Sequence, residues 1–338
     1  MLKFVIHFSV RNKLIIGLFV IGLLGFGSYS VTQLPIDAVP DITNNQVLVI
    51  TVSPSLGAGD IERLITFPIE QSTRNIPGII EQRSFSRFGL SLVTIVFADE
   101  VDVYWARQQV SERLVLLQSE IPANLGVPYM GPVTTGLGEI FQYVVKAKRG
   151  YEDKYDAIEL RTIQDWIVRR QLLGTPGVAE VSSFGGKLKQ YEIAINAEKL
   201  RSFNLTISDL FEALSKNNQN TGGAYIEKGP LALFIRSEGL VKTEEEIETV
   251  QVTQTTSGMP VFIRDVADVR IGIATRFGAV CYNDEGEVAA GIVMMLRGEN
   301  SSKVIRDVKR KITQIEKTLP EGVMIEPFLD RTKMVNHA

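Results

Sequence analysis

Residues that could carry chemistry are few in this sequence, and they do not form a catalytic set. The two histidines, His7 and His337, lie near opposite ends of the chain. A histidine-based triad or a zinc site therefore cannot be assembled from them. The run Gly185-Gly186-Lys187 lacks the glycine spacing of a phosphate-binding loop. We expect no enzymatic activity and no bound cofactor.

Methionine is the other side chain that could bind a soft metal ion. Met294 and Met295 are adjacent in an apolar segment that predicts a strand, and successive strand residues point to opposite faces of a sheet. We expect one of the two to fill the core, a common role of methionine, and the other to lie on the sheet face. The sequence therefore does not identify a metal site.

Composition narrows the class of protein. The chain has 338 residues and a formal net charge of −3, whereas nucleic-acid binders carry a basic surface. Its single cysteine, Cys281, excludes an internal disulfide framework. Because this cysteine lies in the apolar run AVCY, we expect it to be a buried strand residue and not a reactive thiol.

One stretch, residues 14–34, contains no charged side chain. About 20 such residues are needed to cross the hydrocarbon core of a bilayer. Three cations precede the stretch and two aspartates follow it, namely Lys3, Arg11 and Lys13, then Asp37 and Asp41. The positive-inside rule predicts a cytoplasmic N-terminus and an exported remainder. A cleaved signal peptide is the alternative, but the run is longer than the usual apolar region and no small-residue cleavage site follows. An uncleaved anchor is favoured.

The region after the anchor contains an internal repeat. The segments PGIIEQRSF (77–85) and PGVAEVSSF (176–184) share Pro, Gly, Glu, Ser and Phe in matching places, and each follows a predicted helix. Strands and helices alternate as β-α-β-β-α-β around the first segment. The same order recurs around the second, with about 100 residues inserted. This pattern predicts two split β-α-β, or ferredoxin-like, modules.

Apolar spacing of three and four residues predicts the helices of both modules. They span residues 58–75, 101–120, 156–173 and 301–318. We expect Leu64 in the first helix and Ile167 in the third to face the core, and Pro68 to end or kink the first helix. The insert, residues 186–286, contains a predicted long hairpin at 217–239. Residues 260–272 are predicted to form one unbroken strand.

Ten motifs, in order along essentially the whole chain, resemble the heavy-metal branch of the resistance-nodulation-division efflux pumps, the cobalt–zinc–cadmium and copper–silver exporters. They are LPIDAVPDITNNQV (34–47), RSFSRFGLS (83–91), DVYWARQQV (102–110), TTGLGEI (134–140), TIQDWIVRRQL (162–172), NNQNTGGAYIE (217–227), IRDVADV (263–269), ENSSKV (299–304), LPEGV (319–323) and FLDRTKMV (328–335).

The resemblance implies an α+β fold class: one N-terminal transmembrane helix, then two ferredoxin-like porter subdomains, the second interrupted by an α+β docking subdomain. The implied boundaries are 1–36 for the cytoplasmic N-terminus and transmembrane helix, 37–134 for the first porter subdomain, 135–185 with 287–330 for the second, and 186–286 for the docking subdomain. Residues 331–338 would begin a second membrane helix.

The resemblance also implies a function and partners. The protein would be part of a homotrimeric cation:proton antiporter in the bacterial inner membrane, with its bulk in the periplasm. It would work with a periplasmic adaptor and an outer-membrane channel, contact membrane lipid, export a metal cation and bind no nucleic acid. Zinc, cobalt, cadmium, nickel, copper and silver all stay open as substrates.

Site residues follow from the same resemblance. The helix at 101–120 would line a central funnel, which makes Asp102, Arg107, Gln108 and Ser111 candidates to face the trimer axis; plain solvation of a helix face is the alternative. The hairpin would reach into a neighbouring subunit. Its candidate contact residues are Gly222, Gly223, Tyr225 and Ile226.

Members of this family are considerably longer, with further membrane helices and a second periplasmic region. We therefore expect the sequence to be an N-terminal fragment or a truncated product that does not transport alone, with the metal ligands and proton-relay residues elsewhere. Two alternatives stay open: a drug-exporting relative of the same fold, and a membrane-anchored adaptor module. The absence of sustained heptads argues against the adaptor.

Overall fold

The computed structural model describes residues 7, 9–33, 43–118, 121–122, 125–228, 231–237, 239–255, 258–276 and 278–332. The chain divides into two compact units. The first comprises Met1–Lys146, Gln164–Phe184 and Ala290–Ala338. The second comprises Ala147–Ile163 and Gly185–Ala289. Each unit is described by itself below.

Helix α1, Lys13–Gln33, is 21 residues long. Its window Lys13–Ser30 has a mean hydropathy of 1.7, and none of it is buried against the rest of the chain. It is the one helix among the described residues that is long and apolar enough to cross a membrane, and a signal sequence would pass the same test of length and composition. The apolar helix predicted at the N-terminus is therefore present.

The first module of unit 1 contains one four-stranded sheet. Its strands are β1 (Asn45–Val52), β2 (Ile79–Arg87), β3 (Leu90–Phe97) and β4 (Tyr129–Met130), in the spatial order β2-β3-β1-β4. All three pairings are antiparallel. Helical segments follow β1 and β3: α2 (Ala58–Ile61), a π-helical turn (Glu62–Thr66) and α3 (Phe67–Thr73) after the former, and α4 (Val103–Leu117) after the latter.

Strand β1 shows why this sheet forms. Residues Val47 and Val49 are fully buried while their neighbours are partly exposed, the period-2 pattern of a strand with one face on a core. Val49 lies opposite Val93 of β3. Apolar residues of the helical segments and of α4 complete the cluster, among them Ile65, Ile69, Val110 and Leu114.

The second module repeats this arrangement. Its strands are β5 (Glu139–Ala147), β6 (Val178–Gly185), β13 (Ala289–Met295) and β14 (Val323–Asp330), in the order β14-β5-β13-β6. Its helical segments are a π-helical turn (Gln164–Val168), α6 (Arg169–Leu172) and α11 (Ser301–Ile315). Helix α5 (Ala157–Ile163), which precedes the π turn in the chain, falls in unit 2. When the strands of each module are numbered one to four in chain order, the spatial order in both sheets is 4-1-3-2. The α+β class and the duplicated ferredoxin-like plan are confirmed.

The π-helical turns explain two wrong expectations, those for Leu64 and Ile167. A π turn contains one more residue than an α turn, so it rotates the side chains that follow it. Consequently Leu64 is exposed. Ile167 is only partly buried, whereas Gln164 and Val168 are fully buried. Pro68 does not end the helix, because it falls in the first turn of α3, where a missing N–H is tolerated.

Unit 2 holds the inserted elements. Strand β7 (Lys189–Ile195) pairs antiparallel with β12 (Ala267–Ile273). The helices are α7 (Ala197–Ser202), α8 (Ile207–Asn217), α9 (Glu244–Glu248) and α10 (Ile263–Val266). Strand β8 (Thr221–Lys228) pairs with β9 (Leu231–Ser237), and β10 (Gln251–Gln254) with β11 (Pro260–Phe262). Side chains from α7, α8, α9, α10 and β12 share one core.

Two expectations for the insert are wrong. The single strand predicted at 260–272 is broken into β11, α10 and β12, because Asp265 accepts a hydrogen bond from the Phe262 amide at 2.8 Å and closes a helical turn. Cys281 is exposed, not buried. It forms only an isolated bridge with Glu287, since the chain reverses between them at Gly286, whose φ is 83°.

Candidate functional site

Helix α4 carries the residues predicted to face a trimer axis. It starts where the Asp102 carboxylate accepts a hydrogen bond from the Trp105 amide at 2.8 Å, a standard N-cap. Ala106, Val110, Leu114 and Leu117 are buried, which is the three-and-four spacing of a helix with one apolar side. The opposite side of α4 therefore faces outward.

The four predicted residues do not form one group on that side. Asp102 is exposed and occupied as the cap. Gln108 is exposed, and its amide donates to Glu112 at 3.2 Å. Ser111 is half-buried. Arg107 is also half-buried and donates to the main-chain oxygen of Gly131 at 2.6 Å. Desolvation lowers the pKa of Arg107 from its ordinary value. Asp102 and Arg107 thus hold local structure, and a place at a trimer axis stays a prediction for all four residues.

Large apolar side chains were missed on the same helix. Tyr104, Trp105, Val115 and Leu116 are exposed, Leu116 to 65%. Exposed apolar clusters on a folded surface commonly mark interaction sites. Their spacing relative to the buried residues was a usable signal, because Trp105 directly precedes buried Ala106 and Leu116 falls between buried Leu114 and Leu117. The outward side of α4 therefore combines apolar and polar residues.

Arginines fix the segment that joins the two modules of unit 1, residues 131–138. Arg107 donates to the oxygen of Gly131, the first residue of the segment. Arg331 donates to the Leu137 oxygen at 2.7 Å. The Arg297 amide donates to the Val133 oxygen of the segment at 3.1 Å. The guanidinium of Arg297 also reaches residues before β1 and at its start, the Thr43 oxygen and the Asn45 side chain, each at 3.3 Å. Sequence reasoning identified TTGLGEI only as a family motif. The contacts join residues far apart in the chain, so no local signal announces them.

The methionine pair divides as expected. Met295 is 5% exposed and lies in the core, whereas Met294 is partly exposed on the other side of β13. Within the described residues, no group of three or more His, Cys, Asp or Glu side chains could hold a metal ion.

The hairpin residues lie on β8. Gly222 pairs with Arg236, Tyr225 with Phe234, and Ile226 with Leu233, with an irregularity between Gly222 and Tyr225. Gly223 falls within that irregularity. The predicted hairpin is therefore present, with the four candidate residues on its first strand. Among the described strands, β8 and β9 pair only with each other.

Comparison with known proteins gives whole-chain matches. Residues 5–338 match the AcrB/AcrD/AcrF family. The cation efflux system protein CzcA of Alcaligenes sp. (strain CT14) is 43% identical over 342 residues, covering 100% of this chain and 32% of that protein. The cation efflux system protein CusA of Escherichia coli (strain K12) is 34% identical over 338 residues, again covering 100% of this chain and 32% of that protein.

A solved structure gives the same result for the fold. The X-ray crystal structure of a heavy metal efflux pump, crystal form II, superposes with a TM-score of 0.83 at 30% sequence identity. The match covers 96% of this chain and 32% of that one. The chain therefore spans about a third of the length of the relatives it matches.

Proposed function

Because this chain belongs to the AcrB/AcrD/AcrF family, we propose that it forms the first periplasmic portion of a metal-cation efflux pump. The observation that carries the proposal is similarity over the full chain to proteins named as cation efflux systems. The two sheets with one shared strand order support it, since the crystal structure of a heavy metal efflux pump superposes over both modules.

The subdomain boundaries belong to this proposal. Residues 37–134 form the first porter subdomain, and 135–185 with 287–330 form the second. Residues 186–286 form the docking subdomain, and residues 331–338 begin a second membrane helix. The repeated β-α-β-β-α-β order supports the porter assignments. The separate core of α7, α8, α9, α10 and β12 supports the inserted one.

Helix α1 acts, in this proposal, as an inner-membrane anchor with a cytoplasmic N-terminus and a periplasmic remainder. None of its window Lys13–Ser30 is buried within the described part of the chain, and a bilayer would cover its apolar surface. Lys3, Arg11 and Lys13 precede its uncharged stretch, which favours the cytoplasmic orientation of that end.

The pump assembles as a homotrimer in which α4 faces the axis. Trp105 and Leu116 on its outward side supply apolar area for contact with two further copies, and Gln108 supplies a polar group facing the funnel. The hairpin of β8 and β9 reaches the neighbouring subunit through Gly222, Gly223, Tyr225 and Ile226. Cyclic assembly of identical chains needs two different complementary surfaces on each copy, and α4 and the hairpin provide candidates for them.

Proton entry drives export in this proposal, and a periplasmic adaptor and an outer-membrane channel complete the path. A chimera tests the assignment to metal export. This chain replaces the matching third of the Alcaligenes CzcA in cells that lack a cation pump. We expect tolerance to at least one of Zn²⁺, Co²⁺, Cd²⁺, Ni²⁺, Cu⁺ or Ag⁺ to rise above that of cells without a pump, and tolerance to apolar dyes to stay unchanged. A membrane-inserted chimera that raises tolerance only to dyes would contradict metal export.

A further inference from the structure

Helices α4 and α11 occupy the same place in the two modules, so their surfaces can be compared residue by residue. Each begins at a capping side chain: Asp102 accepts from the Trp105 amide at 2.8 Å, and Asn300 accepts from the Lys303 amide at 3.0 Å. With the two caps aligned, each of the four buried residues of α4 coincides with a buried residue of α11. The pairs are Ala106 with Val304, Val110 with Val308, Leu114 with Ile312, and Leu117 with Ile315.

The outward sides of the two helices differ sharply. The same alignment pairs four exposed residues of α11 with four exposed residues of α4. The pairs are Lys303 with Trp105, Arg306 with Gln108, Arg310 with Glu112, and Gln314 with Leu116. Residues 301–317 contain six Lys or Arg and two acidic residues. The matching residues 103–119 contain two arginines and one acidic residue. We call Lys303, Arg306, Arg310 and Lys317 the basic stripe. Because α4 packs in the same way without it, the fold does not require this charge.

The charges of the basic stripe are largely not neutralised by the chain itself. Arg310 has one acidic contact, Asp307 at 3.2 Å, and its side chain is 73% exposed. Arg306 donates to the Ser302 hydroxyl at 3.2 Å, a neutral partner. Neither Lys303 nor Lys317 forms an ion pair with another residue of the described chain. The stripe is thus a basic surface on a chain whose formal net charge is −3.

We propose that the basic stripe docks an acidic helical segment of a partner protein. Lys303, Arg306 and Arg310 are spaced three and four residues apart, so they line one side of α11 over about 10 Å. Lys317 lies in the turn just after the helix. Carboxylates spaced three and four residues apart on a second helix would lie opposite them. Exposed ion pairs are individually weak, so their contribution is to orientation and choice of partner. The proposal goes beyond metal efflux and does not depend on it.

A lipid surface fits the stripe less well. Helices that bind at a bilayer surface insert an apolar side between the head groups. The apolar side of α11 is instead buried in its own module, with Val304, Val308 and Ile312 in the core. Exposed Thr313 and Gln314 offer no apolar replacement. The charge pattern therefore favours an acidic protein helix.

A binding experiment on the full chain in detergent tests whether the basic stripe binds an acidic helix. The probe is a fluorescent helical peptide with glutamates at three- and four-residue spacing, and a peptide with glutamine in their place is the control probe. Protein variants are Arg306→Glu/Arg310→Glu and the milder Arg306→Gln/Arg310→Gln. The matched control, Arg63→Glu/Arg74→Glu, makes the same change in net charge at exposed arginines outside the stripe, one in the π-helical turn after β1 and one just after α3.

We expect the acidic peptide to bind the wild-type chain, and its affinity to fall between about 50 mM and about 500 mM salt, where charges are screened. Charge reversal in the stripe should weaken binding by about tenfold or more, the glutamine variant should weaken it less, and the control should bind like wild type. Equal binding by all variants would overturn the proposal. Stripe-dependent binding to phosphatidylglycerol vesicles without binding to the peptide would overturn it in favour of lipid.

Discussion

Gly78 and Gly177 occupy equivalent turns in the two modules. Their φ angles are 83° and 82°. The Gly78 oxygen accepts a hydrogen bond from the Ala98 amide, and the Gly177 oxygen accepts one from the Leu296 amide, each at 2.9 Å. Each donor is the first residue after the third strand of its module. A Cβ atom added at Gly78 would lie 2.7 Å from a methyl group of Val101, and one added at Gly177 would lie 2.5 Å from a methyl group of Val304. The sequence repeat of 77–85 and 176–184 therefore reflects one structural plan used twice.

Alanine at either of these glycines should destabilise its own module. A left-handed φ costs an alanine roughly 1–2 kcal/mol, and the close valine adds a packing cost, so we expect a loss of about 2–4 kcal/mol in free energy of unfolding. The two tryptophans report on separate modules: in a Trp166→Phe background Trp105 monitors Gly78→Ala, and in a Trp105→Phe background Trp166 monitors Gly177→Ala. Denaturant titration followed by fluorescence gives the values.

The control for this prediction is Gly298, whose φ is 84° but whose added Cβ would meet no atom within 4 Å. Gly298→Ala should lose only the roughly 1–2 kcal/mol of the left-handed φ. Combining Val304→Ala with Gly177→Ala should recover part of the loss caused by the glycine substitution. A loss at Gly177 no larger than that at Gly298 would show that the valine contact has no energetic weight.

Tyr143 should make stability fall at alkaline pH. Its side chain is fully buried, and burial raises the pKa of its phenol above the ordinary 10.0. The unfolded chain therefore loses this proton first, so the stabilisation is complete below pH 10 and decreases above it. Between about pH 9 and about pH 11, wild type should lose about 1 kcal/mol more free energy of unfolding than Tyr143→Phe. The exposed Tyr104→Phe should behave like wild type, and a decline in Tyr143→Phe equal to that of wild type would contradict the prediction.

Arg107 should matter for stability more than its exposed neighbours do. Its guanidinium binds the main-chain oxygen of buried Gly131 at 2.6 Å, so Arg107→Ala leaves that oxygen without this donor and should cost about 1–3 kcal/mol. The Gly131 amide, which donates to Leu48 at 2.8 Å, should then exchange faster with deuterium. Ser111→Ala should change stability by less than about 0.5 kcal/mol. Unchanged exchange at Gly131 in Arg107→Ala would remove the structural role.

Leu116 should control self-association if α4 faces a trimer axis. A charge in the middle of an apolar contact is strongly unfavourable, so Leu116→Glu should convert trimers to monomers in detergent, measured by mass photometry. Gln314→Glu, at the equivalent position of α11, should leave the trimer intact. Trimers that survive Leu116→Glu unchanged would exclude this side of α4 as the contact.

Much of the fold could be predicted because its signals are local. The spacing of Val308, Ile312 and Ile315 indicated α11, and all three are buried. The errors arose where a feature is not periodic: the π turns moved Gln164 into the core, and the chain reversal at Gly286 exposed Cys281. The contact of Arg297 with Asn45 joins residues 252 positions apart, a separation over which a single sequence carries no pattern. The roles of Asp102, Arg107, Gln108 and Ser111 in a funnel stay predictions.

Metal transport by a purified chimera tests the assignment most directly. The chimera of this chain with the remainder of the Alcaligenes CzcA is reconstituted in vesicles that hold a metal-sensitive dye, and a proton gradient of either direction is imposed. We predict that at least one of Zn²⁺, Co²⁺, Cd²⁺, Ni²⁺, Cu⁺ or Ag⁺ moves opposite to the protons, and that the movement stops when an ionophore collapses the gradient. Protein that is trimeric and folded, yet moves none of these cations while the unmodified CzcA does, would contradict it.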